Sequence, residues 1–230
     1  MKARDRLKWM GLTTLAALPW RAAAAIERHL PPGLMLNLDF QNVTNGLIPS
    51  KSLYPLHVPL GDLTIEWANY RNMLSIMDGQ GLDIPHSSLL DPDGREWIVT
   101  ARIFVLSDGI VLSQGNDEHG YVIYLTDHAV RATIRSGAYS MTLKEREDRG
   151  IGNYRKKWVT IELRIKPDTA ILSLNRKRVA MLSLDAPFRG TDMQIRLGAP
   201  RTRPPILKNL LDVEDSGFTG AFASFKIIRQ

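Results

Sequence analysis

The 230-residue chain contains no cysteine. That excludes disulfide staples, thiol catalysis and any Cys-ligated metal, so its fold must be held by an apolar core, which this length can supply. No G-x-S-x-G elbow, P-loop, H-E-x-x-H or G-x-G-x-x-G is present, so the common local signatures of several enzyme classes are missing. From Leu34 onward no stretch sustains apolar spacing at i, i+3, i+4 and i+7 over three turns. Little helix is expected, with a short turn at 206–212 as the best candidate. The apolar run at 9–20 is roughly half the ~20 residues a spanning helix needs, so no stable membrane span is expected.

Residues 1–25 carry a basic start (Lys2, Arg4, Arg6, Lys8), that apolar middle and an alanine run from Ala22 to Ala25. This is the pattern of a cleavable secretory signal, with a short amphipathic interfacial helix as the alternative. Asp5 separates Arg4 from Arg6, so there is no twin-arginine pair. The expected location is secreted or periplasmic. The segment holds five of the 30 basic and one of the 24 acidic residues, leaving 25 against 23 in the remainder. Much of the formal +6 therefore departs with it, and nucleic acid is not indicated as a partner.

What remains is strand after strand. Residues 26–33 read as a linker closed by Pro31-Pro32-Gly33. Residues 34–40 alternate apolar with polar, and strand-like runs follow at 64–67, 74–77, 97–105, 110–114, 121–125, 129–136 and 141–143. Further runs lie at 158–165, 170–174, 177–183, 193–197 and 222–228. Turn chemistry punctuates them: Asp78-Gly79 and Gly81, Asp108-Gly109, Asp127-His128, Lys166-Pro167-Asp168 and Asn175-Arg176. A dozen short strands with short loops and no repeat predict an all-β antiparallel sandwich in one domain, 34–230.

The order of these segments resembles the laminin-G-like, concanavalin-A-like jelly roll. LNLDF opens it, and LSIMDGQGLDIPHSSLLDPDG and WIVTARIFVLSDGIVLSQG follow. Next come YVIYLTDHAVRATIRSG, then Lys157-Trp158-Val159-Thr160, ILSLNRKRVA, MQIRLGAP and the closing GFTGAFASFKII. Each motif is short and apolar; eight in the correct order carry the resemblance. Two departures stand out: Asn175-Arg176-Lys177 replaces the usual turn glycine, and Val159 replaces the usual histidine. Asparagine tolerates the left-handed conformation, so the hairpin is expected to survive.

The resemblance implies a module that binds extracellular or cell-wall carbohydrate, with a protein–protein interaction module as the alternative. Glycanases on related jelly rolls carry Glu-x-Asp-x-x-Glu along one strand; nothing here matches, so hydrolase or lyase activity is disfavoured. The resemblance also makes Ca²⁺ at the sandwich rim a candidate cofactor. Asp117 occupies the expected ligand position, although Arg201 and Arg203 in the late loop oppose a cation there. Cationic groups (Arg155, Lys156, Arg201, Arg203) suit a sulfated or uronic polysaccharide, and loop tyrosines Tyr139 and Tyr154 suit stacking on sugar rings. Asp78 and Asp83 read as turn residues. Trp67, Trp97 and Trp158 fall on strand patterns and are expected in the core.

Overall fold

The computed structural model describes residues 33–52, 56–68, 70–92, 94–116, 118–137, 139–144, 153–191, 193–199 and 218–230. Residues 1–25, expected to be a signal, Asp117, Arg201, Arg203 and the turn expected at 206–212 lie outside the described residues. Strands are numbered in chain order. One sheet runs β14 (Lys177–Ser183), β13 (Thr169–Leu174), β12 (Trp158–Ile165), β7 (Trp97–Val105), β16 (Gly220–Arg229), β5 (Arg71–Ile76) and β4 (Thr64–Ala68). Strand β1 (Gly33–Leu38) also pairs with β16, so the first and last strands are neighbours. The second sheet runs β11 (Tyr139–Lys144), β10 (Ala129–Ser136), β9 (His119–Thr126), β8 (Gly109–Gly115), β15 (Ile195–Gly198) and β6 (Gly81–Ile84). A small hairpin joins β2 (Leu47–Pro49) to β3 (His57–Pro59). All these strand pairings are antiparallel.

Period-two alternation decides which side chains go inside. In β12, Val159, Ile161, Leu163 and Ile165 are buried and their neighbours are only partly covered. Strand β7 contributes Trp97, Val99, Ala101, Ile103 and Val105 to the same cluster, and β9 meets them from the other sheet with Tyr121, Ile123 and Leu125. The two inner faces thus close on one apolar core, the arrangement of an antiparallel sandwich of jelly-roll type. The single helical element among the described residues is one 3₁₀ turn, Ser88–Leu90, capped by the Ser87 side chain.

Turn chemistry behaves as its residue types require. The two-residue turns Asp127-His128 and Asn175-Arg176 hold both residues at positive φ, the geometry that matches the twist of a tight hairpin. The β4–β5 turn likewise carries a non-glycine residue at positive φ. Tyr70 sits there at φ 62, a position suited to glycine, and is 94% exposed. Tyr70→Gly is therefore expected to stabilise the protein by about 0.5–1 kcal/mol, read as a higher midpoint in urea unfolding.

The tryptophans divide. Trp97 is fully buried, as expected. Trp158 lies on the outer face of its sheet, its ring 5.4 Å from that of Phe104 and beneath the Arg102 guanidinium at 5.6 Å. Trp67 is 68% exposed. Its register partner is Asn72, next to the Ile65–Leu74 pair, so Trp67 shares the inward side with the core residue Leu74. The alternation places it on the correct face, but at the end of an edge strand that face is uncovered.

Candidate functional site

Strand β6 offers only four residues, Gly-Leu-Asp-Ile, and alternation sends Leu82 and Ile84 into the core. Asp83 therefore faces outward. Its register partner on β15 is Arg196, which faces outward between the buried Ile195 and Leu197. One acid and one base, 113 residues apart in sequence, thus meet across neighbouring strands. Arg196 Nη1 donates to Asp83 Oδ1 at 2.5 Å, and Gln194 Nε2 donates to the same oxygen at 3.3 Å. Arg196 Nε donates to the Ala199 carbonyl, which fixes the guanidinium at a second point.

Glycine makes that placement fit. A β-carbon on Gly81 would stand 2.8 Å from Arg196 Nε, 2.9 Å from its Cζ and 2.7 Å from the Ala199 carbonyl oxygen. The bare backbone is the surface on which the guanidinium rests. Gly198, at φ 89, pairs with Gly81 and lets the chain turn away beside Gln80. With the side chains of Arg196 and Asp83 only 13% and 21% exposed, the pair is held on two sides before any ligand arrives.

Beside this pair lies an open cleft of about 630 Å³. The β3–β4 loop, including Asp62 and Leu63, forms one wall, and Gln80, Asp83, Gln194 and Arg196 form the other. Asp62 and Gln194 are exposed. The cleft thus offers the mutually bonded Asp83, Gln194 and Arg196 side chains on one wall and the exposed Asp62 carboxylate on the other. Its formal charge is one cation against two carboxylates.

The residues singled out from sequence go elsewhere. Tyr154, Arg155 and Lys156 lie at the sandwich end that carries the β9–β10 turn. Tyr154 N donates to the His128 carbonyl at 3.0 Å, and Lys156 N donates to that of Val105 at 2.7 Å. Tyr154 is half-buried against the core, while Arg155 and Lys156 are exposed. Tyr139 is 57% exposed and pairs with Ser136 at the opposite end of β10. The eight residues of β10, about 23 Å from first to last, separate the two ends, so Tyr139 does not join the others. Asp117, Arg201 and Arg203 are outside the described residues. Among those described, no three His, Asp or Glu side chains gather as a metal site. No helix there is long and apolar enough to cross a membrane.

The same sandwich recurs in solved binding domains. The binding domain of Paraclostridial Mosquitocidal Protein 1 superposes with a TM-score of 0.66 at 12% identity, covering 86% of this chain and 49% of that one. The botulinum neurotoxin type G receptor-binding domain gives 0.57 at 10% identity, over 85% and 47%. The CBM40 of the Ruminococcus gnavus IT-sialidase, bound to α2,3-sialyllactose, gives 0.50 at 16% identity, over 67% of this chain and 88% of that one. This chain spans about half the length of the toxin domains. No protein-family model matches the sequence, and no curated protein does. At these identities the likeness is one of fold.

Sequence reasoning misses this cleft. Asp83, which its neighbouring glycines and proline assign to a turn, is a strand residue with its carboxylate engaged. The available signal is a lone acid on one otherwise apolar strand and a lone base on another. That complementarity becomes visible only once β6 and β15 are known to pair.

Proposed function

We propose that this protein is an exported, laminin-G-like module, domain 34–230, that binds extracellular or cell-wall carbohydrate without transforming it. The observation that carries the reading is the pre-organised Asp83–Arg196–Gln194 array beside an open cleft. Sugars present hydroxyls that donate and accept at once, and a fixed set of both partners recognises them at little entropic cost. The fold shared with a sialyllactose-bound domain and with toxin binding domains supports this by analogy. Asp83 is held as an acceptor by Arg196 and Gln194, an arrangement that suits binding better than proton transfer.

The charge of the cleft favours a neutral, hydroxyl-rich glycan there. An anionic polysaccharide would engage Arg155 and Lys156, with Arg201 and Arg203, and Ca²⁺ would engage Asp117. A glycan array read at low and moderate salt, with and without chelator, tests these together. The expected result is retention of a neutral glycan with little salt dependence. Binding that vanishes with salt, and on replacement of Arg155, Lys156 and Lys157, would move the site to that sandwich end. Binding indifferent to chelator would remove the calcium proposal. No retained glycan under any condition would overturn the carbohydrate reading and leave a protein partner as its replacement.

A further inference from the structure

Strand β4 follows directly on the cleft wall in sequence. Leu63, just before β4, lines the cleft, and within β4 Ile65 and Trp67 share the side of the core residue Leu74. Leu63 and Ile65 are partly buried against the core, and Trp67 stands 68% exposed about 13 Å further on. Trp67 has a prepared setting. Its cross-strand partner Asn72 is clasped by Gln41: Gln41 Nε2 donates to the Asn72 carbonyl at 2.9 Å. In return Asn72 N donates to Gln41 Oε1, and Asn72 Nδ2 to the Gln41 carbonyl, each at 3.3 Å. One exposed aromatic ring thus stands across the strand pair from an asparagine whose amides Gln41 holds in place, four residues along the chain from Leu63 of the cleft.

We propose that Trp67 is a second sugar-contacting point, continuous with the cleft, and that the protein grips an extended saccharide chain. This rests on the carbohydrate reading above. The ring supplies an apolar plane for the C–H face of one sugar unit, and the surrounding amides suit that unit's hydroxyls. A protein partner of the usual kind would want a broader apolar patch than one tryptophan bordered by Asn72 and Gln41. The neighbouring turn supports the inference independently. Tyr70, in the turn that follows β4, is 94% exposed and places a second ring beside the same strand end.

The test is calorimetric titration of the full chain with mono-, di- and longer oligosaccharides of glucose, xylose and N-acetylglucosamine. Wild-type affinity is expected to rise with chain length. Trp67→Ala should flatten that rise, losing roughly three- to tenfold for the longest chain that binds while leaving the shortest unchanged. Trp67→Phe should restore part of it. Tryptophan emission gives a second readout, shifting on addition of long chains in the wild type and losing that component in Trp67→Ala. A length dependence that survives Trp67→Ala would sink this inference and leave the carbohydrate reading intact. An equal loss for every length would also sink it. Wild type binding none of these sugars would sink this inference, and the carbohydrate reading falls with it only if the glycan array is empty as well.

Discussion

Gly81→Ala should cut glycan affinity at the cleft by about tenfold or more, although it removes no group able to touch a ligand. The new methyl would stand under 3 Å from Arg196 Nε, Arg196 Cζ and the Ala199 carbonyl oxygen. Two of those atoms belong to a guanidinium held at 13% exposure, and the third is backbone. Neither can yield without breaking the Arg196–Asp83 bond or the β6–β15 pairing. The expected stability loss is about 1–3 kcal/mol, typical of overpacking. Gly137→Ala is the control. Gly137 sits at φ 63 in the β10–β11 turn, and a methyl there would meet no atom within 4 Å. Alanine at that position costs about 1 kcal/mol of backbone strain and leaves Arg196 untouched. Calorimetry and urea unfolding on both variants separate the two effects. Equal affinity in Gly81→Ala and wild type would show that the Arg196 array does not contact the ligand.

The sandwich is legible because it rests on local signals, and the cleft is not because it rests on a long-range one. Alternation in 158–165 and 97–105 assigns inside and outside correctly along both strands. Asn175-Arg176 is readable as a glycine-free hairpin because asparagine tolerates positive φ, and both residues adopt it. The β2–β3 hairpin leaves no such trace: three-residue strands ending in Pro49 and Pro59 carry too little pattern. Trp158, out of phase with Val159, Ile161 and Leu163, is outside as the alternation itself requires, whatever its aromatic character suggests; Trp67 shows a different limit. Period-two spacing tells which residues share a face and is silent on whether another layer covers it. Asp83, Gln194 and Arg196 show the last limit. Each is an ordinary polar residue on or beside a short strand, and only the β6–β15 register converts them into a site.

Tyr121 governs the second large effect, at alkaline pH. It lies on the core face of β9, level with Gln114 on β8 and Ile134 on β10, with its ring 6.2 Å from that of Phe188. Its hydroxyl is fully buried, and the group that bears on it is the Trp97 Nε1–H from the opposite sheet, too poorly placed for a well-formed hydrogen bond. Burial pushes the phenol well above its ordinary value of 10.0, the Trp97 indole offsets part of that, and the Asp91 carboxylate adds to it. The folded state therefore keeps the proton that the unfolded chain gives up. Stability from this group is complete below about pH 10 and is lost as pH rises from there toward the folded value, at about 1.4 kcal/mol per pH unit. Tyr121→Phe removes the titrating group and keeps the ring. It should match wild type within about 1 kcal/mol near pH 8, because the hydroxyl it deletes meets only the poorly placed Trp97 indole. Near pH 12 it should be the more stable protein by roughly 2–3 kcal/mol. Urea midpoints across that range decide the matter: curves that stay parallel above about pH 10 would mean that Tyr121 is solvated or hydrogen-bonded in the folded state.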